Sequence, residues 1–121
     1  MIKFKVPHRL PGLNEVTAKN RTNKHVGAKL KKETEELISF YVPKGVKLVT
    51  KANVTLTWHE RTKRRDPDNV ASAVKFLFDS MVNCDLLASD SQVWVGSIHH
   101  NFIYGSTWDG VVVELEEEDY L

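Results

Sequence analysis

Residues 2–6 alternate apolar and charged positions, Ile2-Lys3-Phe4-Lys5-Val6, the two-residue period of a strand with one buried face, and Pro7 stops it. A polar, basic stretch follows over residues 11–27. It holds the turn-forming runs Pro11-Gly12-Leu13-Asn14 and Asn20-Arg21-Thr22-Asn23 and reads as a long loop. Over residues 28–42 the apolar Leu30, Leu37, Ile38 and Tyr41 sit among Lys and Glu, which predicts an amphipathic helix ended by Pro43 and Gly45. Residues 52–58 alternate again in β-forming side chains and predict a strand. Asp66-Pro67-Asp68-Asn69 then opens a second helix running to about Val82, with Val70, Val74, Leu77 and Met81 as its core stripe. Two further strands, residues 91–103 and 111–115, join around Tyr104-Gly105-Ser106. The order β-α-β-α-β-β predicts an α+β fold: one small domain over residues 1–121, with two main helices packed on a mixed β-sheet.

The 121 residues suit a single domain. The apolar stretches are too short and interrupted for a membrane span, and the opening alternation is unlike the continuous apolar region of a signal peptide. A single cysteine, Cys84, excludes an intramolecular disulfide framework and a cysteine-rich zinc site. A cytoplasmic location is expected. The net charge of +1 says little, but its distribution is uneven. Ahead of Glu33 the lysines and arginines face one acid, Glu15; a second basic run is Arg61-Thr62-Lys63-Arg64-Arg65; and Glu116-Glu117-Glu118-Asp119 closes the chain. Such asymmetry permits a polyanion-binding face, although a solvated surface explains the same charges.

The segment Arg64-Arg65-Asp66-Pro67-Asp68-Asn69 is the most informative one. In purely structural terms Pro67 suits the first helical position, Asp66 the N-cap before it, and Asp68 the first turn, where the helix dipole favours an acid. In chemical terms two carboxylates one residue apart at a strand-to-helix junction can converge on a hard divalent cation, and adjacent arginines can bring a phosphate chain to it. In a continuous helix Asp68, Ser72, Lys75 and Asp79 share one face, with Lys75 about 10 Å along the axis from Asp68 and leaning back towards it. A plain Lys75–Asp79 surface pair fits that spacing equally. Asp90, just before a strand, is a candidate third ligand, with a turn role and Asp85 as competing readings. Adjacent His99 and His100 would point to opposite faces of a strand, which argues against joint metal binding. Cys84 reads as a small, partly buried residue, and Trp58, Trp94 and Trp108 as core or dimer-interface residues.

Together these residues resemble the RusA family of Holliday-junction resolvases. The match runs through Arg64-Arg65-Asp66-Pro67-Asp68-Asn69, then Lys75-Phe76-Leu77-Phe78-Asp79-Ser80-Met81, then Ser89-Asp90-Ser91-Gln92-Val93, and more weakly through Leu10-Pro11-Gly12-Leu13-Asn14. The resemblance implies a small homodimeric endodeoxyribonuclease that resolves four-way junction DNA by paired symmetric nicks. It implies Mg²⁺ as cofactor, with Mn²⁺ as a substitute, and a metal-activated water attacking the phosphodiester. Asp66, Asp68 and Asp90 would be the catalytic and metal-binding carboxylates, and Lys75 the catalytic lysine. DNA would meet Arg64, Arg65, Lys63, Asn69, Arg21 and Lys24. Two departures stand out. Some members carry the lysine three residues after the asparagine, where this chain has Ser72, and Lys75 comes one helical turn later. The downstream position often carries paired acids, whereas here Ser89 precedes Asp90. Two alternatives share these features: a flap or fork nuclease with the same metal chemistry, and a non-enzymatic junction-binding protein. The paired nicks imply a dimer, and the β-rich segments 93–103 and 111–113 are its expected interface.

Overall fold

The computed structural model describes residues 1–118, so Asp119 of the acidic run lies outside the described residues. The first alternation forms β1 (Ile2–Val6), followed by α1 (Leu13–Thr22), α2 (Lys24–Tyr41), β2 (Ala52–Glu60), α3 (Pro67–Ala71), α4 (Val74–Asn83), β3 (Val95–Tyr104) and β4 (Gly110–Glu117). The strands form one sheet in the order β1-β4-β2-β3. β4 runs antiparallel to both β1 and β2, whereas β2 and β3 are parallel, a pairing that needs a crossover connection; α3 and α4 lie in it. The sheet is therefore mixed and the fold α+β, as the pattern predicts.

Register explains the alternation. Phe4 and Leu56 both pair with Val113, and Val6 and Trp58 both pair with Val111, so these rows share one face. All of them are buried, in one cluster with Ile38 and Val42 from the α2 end and Leu77 and Met81 from α4. Each such side chain contributes roughly 1.5–3 kcal/mol by leaving water. The opposite face carries Lys3, Glu114 and Thr55 in one paired row. Gly110 opens β4 at φ 149°, and a Cβ there would lie 2.1 Å from the Val6 carbonyl oxygen and 2.7 Å from Trp108 Cζ3. Gly110→Ala is expected to lower stability by at least about 1–3 kcal/mol, from backbone strain alone. A urea unfolding midpoint equal to that of the parent would refute this.

The structure departs from the pattern in four places. Residues 11–27 are not a loop: α1 occupies most of them, and α2 begins at Lys24 rather than Ala28. α1 has no buried residue and hence no apolar period to read. Its start is fastened by tertiary bonds instead, Asn14 N–H donating to Asn69 Oδ1 at 3.0 Å, and Asn23 caps α2 by accepting from Val26 N–H. The expected single helix after Asp66 is broken at Ser72–Ala73. There Ser72 Oγ donates to the Asn69 carbonyl at 2.7 Å and Ala73 N–H bonds Val70 three residues back, a tighter turn than an α-helix makes. The strand expected over residues 91–103 begins only at Val95, after a turn in which the Ser91 carbonyl accepts from Trp94 and Val95 N–H, and in the sheet β2 separates it from β4. β2 takes the centre because its inward positions from Ala52 to Trp58 are apolar throughout, whereas β3 turns His100 and Tyr104 inward and sits at the edge. Finally, Val111 and Val113 are fully buried in their own core, so they cannot supply a dimer interface.

Candidate active site

Pro67 forces the residue before it into an extended conformation, and Asp66 has it, at φ −68° and ψ 154°. Asp66 therefore occupies the N-cap of α3, yet its carboxylate makes no capping bond. Asp68 follows in the first turn of α3, and both residues are exposed. Helix capping thus leaves the Asp66 oxygens unspent. Tyr104 at the end of β3 lies beside this junction and donates its hydroxyl proton to the Arg65 carbonyl at 2.8 Å. Its pKa is raised by burial first, then by the negative field of Glu60 and Asp66, with Asp68 a smaller contributor.

Arg65 points away from solvent. Its Nε and Nη2 donate to the two oxygens of Glu60 at 2.7 Å each, and Nη1 donates to the Leu10 carbonyl at 2.8 Å. The side chains of Arg65 and Glu60 are 11% and 8% exposed. Arg65 is thus a bracket joining the end of β2, the segment before α1 and the start of α3, with its guanidinium taken up by Glu60 and the Leu10 carbonyl. Asn69 is engaged similarly: its side chain accepts from Asn14 N–H and packs so closely on Gly12 that a Cβ there would lie 2.6 Å from Oδ1. Arg64 and Lys63 remain exposed next to Asp66. Arg21 and Lys24 are exposed at the corner between α1 and α2, Arg21 about 10 Å along the α1 axis from Asn14.

Lys75 reaches Asp90 across fifteen residues, Nζ to Oδ2 at 2.8 Å, and also meets Asp79 Oδ1 at 3.0 Å. The hydrogen bond that Lys75 donates to Asp90, then the one it donates to Asp79, raises the Lys75 pKa, and the same Lys75 bond holds the Asp90 carboxylate below its ordinary value. Lysine stays charged and Asp90 ionised at neutral pH. The pair lines an open cleft of about 450 Å³ with Lys31, Glu35, Asp79 and Ser89. The break between α3 and α4 means that the face shared by Asp68 and Lys75 cannot be read from one continuous helix.

The acids thus form two sets: Asp66 and Asp68 at the start of α3 near Tyr104, and Asp90 with Asp79 around the Lys75 ammonium. All are oxygen donors of the kind a hard divalent cation takes, and the ammonium on Asp90 is itself a stand-in cation. The fit lies in donor chemistry rather than finished arrangement, since among the described residues no three His, Cys, Asp or Glu side chains already converge to hold a metal ion.

A family profile described as Endodeoxyribonuclease RusA matches residues 14–116. The chain belongs to this family. Among curated proteins none matches it. RusA enzymes are endodeoxyribonucleases, Holliday-junction resolvases that depend on divalent metal, so the non-enzymatic alternative is set aside. Among the described residues no helix is long and apolar enough to cross a membrane.

RusA-type motif reading alone misses Glu60 and Tyr104. Glu60 had a signal: continuing the alternation of β2 two residues past Trp58 puts it on the buried face, where a carboxylate demands a cationic partner such as Arg65. Tyr104 had none, because its contact depends on the parallel pairing of β3 with β2, which brings Tyr104 opposite Glu60.

Proposed function

We propose that this RusA-family chain resolves four-way DNA junctions by paired symmetric nicks at a site made of Asp66, Asp68, Asp90 and Lys75, with Mg²⁺ as its cation. The observation that supports this reading is the Lys75–Asp90 bond at 2.8 Å, which joins two separated parts of the motif beside a polar cleft. Asp66, Asp68 and Asp90 would hold the cation, which when bound would neutralise phosphate charge and supply an activated nucleophile. The chain's own part is electrostatic. The Lys75 ammonium stabilises negative charge that grows on the phosphoryl oxygens, while Arg64 and Lys63 hold the DNA backbone beside Asp66. Arg65 does its work indirectly, by fixing the backbone from which Asp66 projects.

Two coordinated cuts need two sites, and β3 favours a symmetric pair of chains. It is an edge strand whose residues Val95–Tyr104 carry no Lys, Arg, Asp, Glu or Pro, and Ile98 and Ile103 are exposed. Such an edge invites a partner strand unless something blocks it. The second copy would meet β3, not the buried β4. Light scattering at micromolar concentration is expected to give a dimer, and a supercoiled cruciform plasmid is expected to go directly to linear product. A monomer accumulating only relaxed circles would sink the paired-nick reading. Equal cleavage of flaps and four-way junctions would favour the flap or fork nuclease.

A further inference from the structure

Lys75 stands between two acids of different character. Asp90 is on the loop after α4 with its side chain 41% exposed, whereas Asp79 is on α4 itself and 20% exposed. Asp79 is flanked by the buried Phe78 and Ser80, and its Oδ2 lies 3.9 Å from Lys31 Nζ on α2. One carboxylate on a packed helix therefore ties a lysine of α2 to the lysine of the cleavage site. An ordinary surface pair one turn apart would lack this third partner and this cover.

Resting on the reading that Lys75 and Asp90 belong to the cleavage site, we infer that Asp79 is a positioning residue for Lys75: it keeps the ammonium in the cleft when Asp90 turns to the cation, and Lys31 holds Asp79 in place. The reason lies in the shape of lysine. Its charge is carried on a flexible four-carbon stem with many rotamers, so an ammonium anchored by Asp90 alone would be released when that acid engaged another cation. With Asp79 as second anchor, the ammonium stays where charge develops on the phosphate. Asp79 is not itself expected to touch DNA, because it is 20% exposed and each of its carboxylate oxygens is paired with a lysine.

The test uses the full chain with labelled four-way junctions under single-turnover conditions. Asp79→Asn is expected to slow cleavage about 10- to 100-fold, the scale of a small misplacement of a catalytic group. Junction affinity should stay within about twofold, and Asp79→Glu should recover most of the rate. In a Lys75→Gln background, followed through its residual cleavage, Asp79→Asn should cost less than about twofold, because its partner is gone. A second readout is Mn²⁺ titration by calorimetry without DNA. There Asp79→Asn should weaken binding about 3- to 10-fold, since the ammonium then competes for Asp90 undivided. Wild-type cleavage by Asp79→Asn beside a slow Lys75→Gln overturns the inference and leaves the site intact. Wild-type cleavage by Lys75→Gln overturns the site itself. An equal slowing by Asp79→Asn in both backgrounds means a general structural role and also overturns the inference, as does unchanged Mn²⁺ affinity. If Asp79→Asn does not fold, Lys31→Gln replaces it: a slowing of about 3- to 10-fold is expected, and a wild-type rate overturns the inference.

Discussion

Asp68→Asn is expected to lower junction cleavage by at least about 10²–10³-fold, the loss that follows removal of one preorganised electrostatic group, while junction binding is kept or tightened. An amide is a poor ligand for a hard divalent cation, but it also removes a negative charge that repels phosphate. The structure makes the substitution clean. Asp68 is exposed in the first turn of α3, and among the described residues no cation is ion-paired to it. Its structural contribution reduces to a helix-dipole interaction of roughly 0.3–1 kcal/mol, so the thermal midpoint should hardly move. Gel-shift titration in Ca²⁺ paired with cleavage assays in Mg²⁺ separates the two properties. Full-rate cleavage would remove Asp68 from the site. Joint loss of binding and folding would instead mean that its role is to start the helix.

What the sequence makes legible is what depends on local pattern. β1 and β2 are visible because one face of each is buried, and residue spacing carries that face. α4 is visible through Leu77 and Met81. α1 is hidden because no residue of it is fully buried, Val16 alone packing part-way onto the core, and its start is held by Asn69, fifty-five residues from Asn14. The break at Ser72–Ala73 is hidden for another reason, since a serine tolerated in helices here turns its hydroxyl back on the Asn69 carbonyl. That break falls where the chain departs from members whose lysine comes three residues after the asparagine. It offers a physical account of the departure: with α3 and α4 offset by a tighter turn, Lys75 rather than Ser72 is the residue that meets Asp90. Arg64 and Arg65 look alike as letters, and only the fold separates them.

That separation has a large consequence. Arg65→Ala is expected to destabilise the protein by about 3–5 kcal/mol, because it leaves a buried carboxylate without its partner. Glu60 is 8% exposed and both of its oxygens bond Arg65, so the substitution takes from that carboxylate its cation and two of its donors. The Leu10 carbonyl loses its donor as well. Against a total stability of roughly 5–15 kcal/mol for a domain of ordinary size, such a loss leaves much of the protein unfolded at modest temperature. Arg64→Ala should do the reverse: stability within about 0.5 kcal/mol of the parent, and a slope of log affinity against log salt reduced by about 0.9 for one lost phosphate contact. Chemical denaturation of both variants, with salt titrations of junction binding on the folded fraction, sets the two arginines apart. Arg65→Ala that folds normally and flattens the salt slope would return Arg65 to the DNA surface. An unchanged slope in Arg64→Ala would take Arg64 off it.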